Sequence, residues 1–563
     1  MGDGRGRRSR RSRRRRRLLT HALPLIVLVA AAVAAGIVIA GSGGGEERRL
    51  VTDYVRAWVR GDYGQMYSLL DRASHEQIST ARFVRAYHAA AQTATVVSLA
   101  LVRVGSEARN VIPVRMRVQT RLFGALRETL LVPLTGSGSG ARVHFDRMLT
   151  FPGLQAGETL TRRVHLATRG TLFASDGTAL AQGPDRTTPI PGVASEIAGV
   201  LGPIPAADAR RYAEEGYPPG AKVGLDGLER IFERQLAGSP GGELIAGSRV
   251  LARRTATSGH DVTTTIDPRL EQAVITAMAG RYAGMVAMDP RTGAILAVAG
   301  VGFSALQPPG STMKIITVTG ALQAGIVKLT DTFPIQTSAT IEGYRLQNAG
   351  GEACGGTLLN AFAVSCNSVF APLGVKLGAQ RLVATAEAFG FNQPPSIPYA
   401  GESRIPPANA IGGDLDVGSS AIGQGKVETT ALEMTDAGAT IAMGGQRPVP
   451  TLLAHQPPRF LPVASAHVAH LVERMMIAVV QFGTGTAAQI PGVVVAGKTG
   501  TAELRNTTLP GNSGPSDTDA WFVGYAPVGA PRIVVGALFP NQGAGGGTAA
   551  PAVHDVLAAA LQR

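Results

Sequence analysis

Residues 309–325, PGSTMKIITVTGALQAG, place Ser311 three residues before Lys314. The apolar residues that follow recur at helical spacing as far as Gly325, so the stretch predicts a helix that begins near Ser311. Residues three apart share a helix face, which lets the amine reach the hydroxyl. A serine hydroxyl needs an adjacent base to become a nucleophile, and a neutral, desolvated lysine can be that base. The same pattern also fits a serine that caps a helix and a lysine that lies in water.

The chain uses lysine sparingly, which makes each lysine informative. Its 563 residues include 54 lysines and arginines, and only six of these are lysine. The six are Lys222, Lys314, Lys328, Lys376, Lys426 and Lys498. An arginine does not give up its proton in a protein, whereas a buried lysine can. Lys314 and Lys498 both lie in candidate catalytic patterns.

A second candidate is Ser365-Cys366-Asn367. It lies between two apolar, helix-like stretches at residues 358–364 and 369–375, so we expect it at a turn between helices. A hydroxyl and an amide at such a turn can relay a proton and hold a substrate carbonyl. By itself the tripeptide carries almost no information.

The third candidate is Lys498-Thr499-Gly500-Thr501, which follows an apolar stretch at residues 493–496 that we predict to be a strand. Gly500 allows a ligand to approach the backbone closely. The two threonine hydroxyls and the lysine suit a substrate carboxylate. The alternative is an ordinary strand end with polar residues.

The net charge of +14 is concentrated at the N-terminus, where residues 1–17 carry ten arginines and one aspartate. No aromatic residue is interleaved with them, so no nucleic-acid partner is expected. Residues 22–40 contain no charged side chain, and about 20 such residues span a bilayer. The positive-inside rule therefore predicts a basic cytoplasmic tail (1–17), a transmembrane anchor (18–41) and a body outside the cytoplasm. The alternative is a signal peptide cleaved after Val38-Ile39-Ala40.

Composition and patterning predict a multidomain α+β protein. A content of 45% hydrophobic and 17% charged residues excludes wholesale disorder, and two cysteines exclude a disulfide-dense scaffold or a cysteine-built zinc cluster. Residues 46–153 are predicted to hold helices and then an antiparallel sheet. Residues 154–259 are interrupted by proline and glycine and predict an elongated pedestal. Residues 260–563 carry strand patterns at both ends, the first over 262–266, with helices between them and a last helix predicted over 551–562. This arrangement predicts an α+β sandwich.

The first of these regions resembles the cone-shaped fold of the nuclear-transport-factor and ketosteroid-isomerase type. Val51, Tyr54, Val55 and Trp58 recur at helical spacing. Further on, valines and a methionine at 114, 116 and 118 alternate with polar residues, which predicts a strand with one buried face. No acid–base pair stands out, so we interpret this region as a spacer or docking module.

The order Ser-x-x-Lys, Ser-x-Asn, Lys-Thr-Gly is far more specific than any one motif, and it resembles the penicillin-binding protein and serine β-lactamase superfamily. Stretches at 264–267, 422–425 and 519–525 resemble that family's transpeptidase domain. Residues 169–177 and 227–229 resemble the pedestal, or dimerisation domain, of class B penicillin-binding proteins, and the first region resembles the extra N-terminal domain of the methicillin-resistance type. No acidic motif precedes the pedestal to support a glycosyltransferase domain.

The resemblance implies a peptidoglycan D,D-transpeptidase that acts on stem peptides ending in D-Ala-D-Ala. Ser311 would attack the penultimate D-Ala carbonyl with Lys314 as its base, and the backbone N–H groups of Ser311 and Thr501 would hold the oxyanion. Ser365 and Lys498 would pass a proton to the leaving amine, and Asn367 would hold the stem amide. Lys498, Thr499 and Thr501, with Gly500 between them, would receive the terminal carboxylate. β-Lactams mimic D-Ala-D-Ala and would acylate Ser311.

Partners and cofactors follow from the same resemblance. The implied partners are stem peptides, β-lactams, the membrane through the anchor, and a membrane glycosyltransferase or other divisome or elongasome component. No cofactor and no metal are expected. Cys354 and Cys366 lie twelve residues apart in an oxidising compartment and form a candidate disulfide, the alternative being two buried thiols.

Two other functions stay open. A D,D-carboxypeptidase or β-lactamase would use the same serine with water in place of the amine, although the pedestal and extra domain argue against a small hydrolase. A non-catalytic β-lactam-binding scaffold or sensor is the other alternative. A sensor would need more cytoplasmic chain than a seventeen-residue tail, and a scaffold would need neither Lys314 nor Lys498.

Overall fold

The computed structural model describes residues 45–504 and 514–562. The α-helices in this part of the chain are α1 (Glu46–Arg60), α2 (Tyr63–Ser68), α3 (Arg72–Gln77), α4 (Thr80–Thr93), α5 (Pro191–Ile197), α6 (Ala209–Glu215), α7 (Gly227–Ile231), α8 (Glu233–Leu236), α9 (Pro268–Met278), α10 (Lys314–Gln323), α11 (Leu358–Ala363), α12 (Asn367–Leu377), α13 (Ala379–Phe389), α14 (Asp414–Ala421), α15 (Ala431–Ala442), α16 (Ala466–Gln481) and α17 (Gly545–Leu561).

The strands in the same residues are β1 (Val96–Val104), β2 (Val111–Thr120), β3 (Gly124–Thr135), β4 (Arg142–Val143), β5 (Leu160–His165), β6 (Leu172–Phe173), β7 (Ala179–Ala181), β8 (Leu201–Pro203), β9 (Lys222–Gly224), β10 (Gly241–Ala246), β11 (Arg249–Arg254), β12 (Val262–Thr263), β13 (Gly284–Asp289), β14 (Ala294–Gly300), β15 (Thr332–Gln336), β16 (Ser338–Ile341), β17 (Tyr344–Gln347), β18 (Cys354–Thr357), β19 (Gln446–Pro448), β20 (Phe460–Pro462), β21 (Ala496–Glu503), β22 (Thr518–Ala526) and β23 (Ile533–Phe539).

The chain divides by its internal contacts into two compact units. The first contains the chain up to residue 169 together with residues 202–223 and 237–259. The second contains residues 170–201, 224–236 and everything from 260 on. The middle region thus contributes segments to both units, and the boundaries predicted at 153/154 and 259/260 stay predictions.

In the first unit, helices α1–α4 precede an antiparallel sheet of order β1-β2-β3-β4, as predicted. Tyr54, Val55 and Trp58 of α1 are buried against Val114 and Met116 of β2. Two glutamates begin α1 and an arginine ends it, which suits the helix dipole. The alternation predicted for β2 is also present, because Arg115 and Arg117 are exposed between buried neighbours. A second antiparallel sheet, β11-β10-β5, belongs to the same unit.

The second unit is built on a five-stranded antiparallel sheet of order β14-β13-β23-β22-β21. Alternate residues of its strands enter two different cores. Phe522 and Val535 pack with α9 and α17, whereas Trp521 and Val534 belong to the larger core that contains α10, α15 and α16. Because helices cover both faces, every residue of β23 is buried. This is the α+β sandwich expected from the sequence.

Three predicted boundaries are wrong, for identifiable reasons. The strand predicted at residues 493–496 begins later in the structure, as β21. Val493 closes a turn with Ile490, and the pairing with β22 begins only at Ala496. The strand expected over 262–266 is limited to the two residues of β12. The last helix, expected from Pro551, begins six residues earlier at Gly545, where glycines allow it to pack against β21.

The predicted basic tail and anchor at residues 1–41 lie outside the described residues. Among the residues that are described, no helix combines the length and the apolar character needed to cross a membrane.

Candidate active site

Ser311 lies in a tight 3-10 turn, Gly310–Met313, that leads directly into α10. Ser311 is partly exposed, while Thr312, Met313 and Lys314 are buried. Gly310 has φ +51°, and its N–H donates to the carbonyl of Gly423 at 2.9 Å. A side chain at Gly310 would come within 2.7 Å of the Thr501 backbone. The turn that carries Ser311 is thus held against β21.

Gly500 has a packing role that the sequence did not reveal. A Cβ atom there would lie 2.7 Å from the carbonyl oxygen of Pro309 and 3.0 Å from the Thr312 side chain. Its missing side chain therefore makes room for the turn that carries Ser311, whereas the sequence had suggested close approach of a ligand.

Lys314 is completely buried, and its amine is held by α12 and the link that precedes it. Nζ donates to the carbonyl oxygen of Ser365 and to Oδ1 of Asn367, both at 2.7 Å, and lies 3.2 Å from Oγ of Ser365. Burial, and then the nearby amine of Lys498, hold the pKa of Lys314 well below its ordinary value. The lowered pKa favours the neutral form of this amine relative to that of an ordinary lysine.

Lys498 lies in the middle of β21 and is also fully buried. Its Nζ is 2.9 Å from Oγ of Ser365 and donates to the carbonyl oxygen of Thr499 at 3.0 Å. Burial lowers the pKa of Lys498 to about 7. The rings of Phe362 and Phe370 lie 5.5 Å from the amines of Lys498 and Lys314 respectively and keep water away from both.

The hydrogen-bond geometry around Lys314 accommodates a neutral amine. The carbonyl oxygen of Ser365 and Oδ1 of Asn367 can only accept, so they take both N–H groups of a neutral Lys314 amine. Its lone pair is then left for a hydroxyl. The Ser365 hydroxyl, between the two amines, can accept from a protonated Lys498 and donate to Lys314. The cluster can therefore move a proton from one lysine to the other.

Ser365 and Asn367 are positioned by the sharp link between α11 and α12. Ser365 has φ +64°, a left-handed conformation that is uncommon outside glycine and that turns the chain between the helices. Cys366 is bonded to Cys354, which ties this link to β18. Asn367 donates through Nδ2 to the carbonyl oxygen of Gln347 at 2.9 Å, which orients its amide oxygen toward Lys314.

The structure brings Lys314, Ser365, Asn367 and Lys498 into one hydrogen-bond network. In the described part of the chain, the Ser311 hydroxyl forms no hydrogen bond, so Ser311 and Lys314 are not hydrogen-bonded to each other in this structure. No carboxylate belongs to the network within these residues. Glu387 instead accepts from Asn392, and Glu402 lies 3.8 Å from Arg404. No group of metal-binding side chains was found among the described residues.

The two threonines of the third motif are held by partners outside it. Thr501 Oγ1 accepts from the N–H of Gly545, the first residue of α17, at 3.3 Å, which leaves its own proton free to donate. Thr499 forms a short hydroxyl–hydroxyl hydrogen bond with Thr484, which follows α16. Thr484 Oγ1 also lies 3.5 Å from the carbonyl oxygen of Ala363. Sequence reasoning missed Thr484, because a threonine in a Gly-rich connector carries no local signal.

We expect Thr484→Val to weaken the non-covalent binding of a carboxylate-bearing β-lactam about tenfold while leaving the first-order acylation rate within threefold. When Thr499 turns its proton to a carboxylate, Thr484 can donate to Thr499 in its place, and valine cannot. Stopped-flow acylation kinetics separate the two constants. Thr486→Val, two residues along the same connector, is the control. An equal loss of both constants would show that Thr484 only supports the fold.

Comparison with known proteins matches three segments of the chain to domains found in penicillin-binding transpeptidases. Residues 283–558 match the penicillin-binding protein transpeptidase domain, and residues 170–264 match the penicillin-binding protein dimerisation domain. Residues 48–158 match the NTF2-like N-terminal transpeptidase domain.

Individual relatives agree with the domain matches. Peptidoglycan D,D-transpeptidase PbpA of Mycolicibacterium smegmatis is 33% identical over 401 residues, which are 60% of this chain and 79% of PbpA. The structure of the penicillin G acyl-enzyme of M. tuberculosis penicillin-binding protein A has a TM-score of 0.57 and 28% identity, covering 70% of this chain and 100% of that one. The D,D-transpeptidase domain of an Eggerthella lenta peptidoglycan glycosyltransferase has a TM-score of 0.57 and 30% identity, covering 70% of this chain and 98% of that one.

Proposed function

Because this chain belongs to the class B penicillin-binding proteins, with an additional NTF2-like N-terminal domain, we propose that it crosslinks peptidoglycan as a D,D-transpeptidase through an acyl-enzyme on Ser311. The observation that carries the proposal is the convergence of two buried lysine amines on one serine hydroxyl, beside the turn that holds Ser311. Lys314, three residues after Ser311 and with a lowered pKa, is the base that nucleophilic attack by this serine requires.

Acylation begins when the Ser311 oxygen attacks the carbonyl carbon of the penultimate D-Ala. The proton of the hydroxyl passes to the lone pair of Lys314, whose two N–H groups remain on Ser365 and Asn367. The oxyanion is stabilised by the backbone N–H groups of Ser311 and Thr501, because the turn and β21 are packed together. Removing one such donor typically costs ~3–4 kcal/mol of barrier.

The leaving amine needs a proton as the C–N bond breaks. Lys498 and Ser365 supply it, because the Ser365 hydroxyl is within 2.9 Å of one amine and 3.2 Å of the other. The proton that Lys314 took from Ser311 then passes to Ser365 and Lys498 and replaces the one they supplied. The products are an ester on Ser311 and free D-alanine.

The terminal carboxylate of the stem peptide is received beside Lys498 by the hydroxyls of Thr499 and Thr501. Both hydroxyls are held by neighbours that leave a proton for the substrate. A negative charge here also raises the pKa of Lys498 and keeps that amine protonated. Asn367 holds the stem-peptide amide in the same cleft.

The ester is resolved by an amine of a neighbouring stem peptide, which attacks the acyl carbon. Its proton passes by way of Lys314 to the Ser311 oxygen as the ester C–O bond breaks, which restores the Ser311 hydroxyl. Water can do the same only if a base activates it. The network contains no carboxylate within the described residues, which favours the transpeptidase over a β-lactamase that needs a deacylating glutamate. β-Lactams enter as analogues of D-Ala-D-Ala and leave a long-lived ester on Ser311.

We further propose that residues 18–41 anchor the protein in the cell membrane by a single pass, with the tail in the cytoplasm and both units outside. The charge-free run at residues 22–40 and the arginines before it support this orientation. The disulfide between Cys354 and Cys366 suits an oxidising compartment. This location places the active site beside a membrane glycosyltransferase of the elongation or division machinery as its partner.

The function is tested by incubating the full chain with a pentapeptide stem ending in D-Ala-D-Ala, with and without a D-amino acid as acceptor. We expect the acceptor to replace the terminal D-Ala, as seen by mass spectrometry, and penicillin to abolish the exchange. Release of D-Ala by hydrolysis alone, at every acceptor concentration, would instead identify a D,D-carboxypeptidase. An inert protein that forms no penicillin ester would be a scaffold.

A further inference from the structure

The outer face of the sheet β1-β2-β3 carries a compact group of arginines. Arg103 of β1 lies opposite Arg115 of β2, and Arg117 of β2 lies opposite Arg127 of β3. All four are exposed. Adjacent strands are about 4.8 Å apart and alternate residues of one strand about 7 Å apart, so the four side chains share one small, flat area. We name these four residues the arginine face.

The arginine face is not explained by the stability of the sheet. Like charges directly opposite each other on neighbouring strands are destabilising. In the described part of the chain, none of the four forms an ion pair or a side-chain hydrogen bond. Glu128 is next to Arg127 but is on the other face of β3, opposite the buried Met116. Residues 46–169 as a whole contain 18 arginines and no lysine, against 10 acidic residues.

The arginine face begins at the end of the sheet where the chain enters the first unit. Arg48, in the first turn of α1, donates to the carbonyl oxygen of Val104 at 3.0 Å, and Val104 follows Arg103. The predicted anchor ends at residue 41, so only residues 42–45 separate it from α1. Four extended residues span at most about 14 Å. The tether therefore keeps this end of the sheet close to the membrane.

We propose that the arginine face docks on acidic phospholipid headgroups of the membrane that holds the anchor. This inference rests on the anchor proposed above and not on the catalytic chemistry. A flat face of four fixed positive charges is complementary to an anionic lipid surface, and like-charge repulsion excludes a second copy of the same face as the partner. Each arginine near such a surface strengthens binding by about fivefold.

The test uses the full chain in lipid nanodiscs with a fluorescent label on Ala125→Cys, an exposed position on the same sheet face. The two native cysteines are bonded to each other, so the new thiol is the one that reacts. Quenching of the label by headgroup spin-labelled lipid reports contact with the membrane. We expect quenching to rise at least threefold when phosphatidylglycerol replaces a third of the phosphatidylcholine, and to fall with added salt.

Changing the four arginines of the face to glutamine should remove the dependence on phosphatidylglycerol. The matched control changes four exposed arginines of α1 and α4, which are Arg56, Arg60, Arg82 and Arg85. This control variant should keep the dependence on phosphatidylglycerol. If both variants lose the dependence on phosphatidylglycerol equally, the effect is due to net charge alone and the proposal is overturned. Quenching that does not depend on the charge of the lipid would also overturn it. If soluble poly(glycerol phosphate) does not compete with the lipids for the arginine face, the result supports a membrane partner. If the polymer binds through the arginine face while the label shows no lipid contact, the partner is a wall polyanion instead. Penicillin acylation, measured on every variant, reports separately on the active site.

Discussion

Replacing Lys314 with methionine is expected to slow the acylation of Ser311 by penicillin by about 10²- to 10⁴-fold, the usual contribution of a general base. Methionine fills a similar volume in this buried position but has no lone pair for the proton of the hydroxyl. Lys314→Arg should be equally slow, because arginine keeps the positive charge and the N–H donors but is never a base at neutral pH. The second-order acylation constant with a fluorescent penicillin measures the effect.

The matched control is Lys376→Met, which changes an exposed lysine on α12 and should leave the acylation constant unchanged. A Lys314→Met protein that is folded and acylates within threefold of the wild-type rate would exclude Lys314 as the base. The proton would then have to leave Ser311 by another route, with the Ser365 hydroxyl as the nearest alternative.

The second large effect concerns stability and pH. Burial lowers the pKa of Lys498 from its ordinary value of 10.5 to about 7, whereas in the unfolded chain the pKa is the ordinary one. Between these two values the unfolded state binds more protons, so the contribution of Lys498 to the free energy of unfolding rises with pH. Below pH 7 the cost of burying this amine is present in full, and it disappears as the pH approaches 10.5. The difference in pKa corresponds to roughly 4–5 kcal/mol.

Lys498→Met lacks this cost, so its stability relative to wild type should be greatest near pH 7 and should fall by a few kcal/mol between pH 7 and pH 10. Lys314 contributes in both proteins, because burial is the main cause of its own lowered pKa. Denaturant unfolding followed through Trp521, buried in the second unit, in a Trp58→Phe background measures the difference. A difference that does not change with pH would mean that Lys498 is charged in the folded protein.

The residues proposed to be catalytic could be named from the sequence because each motif is local and the three occur in a specific order. What the sequence could not give is their relation in space. Lys314 and Lys498 are 184 positions apart, and only the packing of the Ser311 turn onto β21 brings both to Ser365. The position of Ser365 between two amines depends on a left-handed backbone conformation, which the presence of a serine does not predict.

The errors have a common physical origin. Strand prediction followed apolar runs, so it favoured residues 493–496 and missed that β21 continues through the polar Lys498-Thr499-Gly500-Thr501 stretch. Lys498 and Thr499 are buried and Thr501 is partly buried, because these residues contact Ser365, Thr484 and α17 respectively. Thr484 could not be recognised from the sequence, because its hydrogen-bond partner Thr499 is fifteen residues away.

Whether Ser311 is the nucleophile is decided by an intact-mass time course of the wild-type protein and of Ser311→Ala with penicillin G. We expect one adduct on the wild-type protein, located on the peptide that contains Ser311 and persisting for many minutes, and no adduct on the variant. An adduct on Ser311→Ala, or one that maps to another residue, would contradict the assignment of Ser311 as the nucleophile. An adduct that forms on Ser311 and clears within seconds would contradict the transpeptidase account in favour of a β-lactamase.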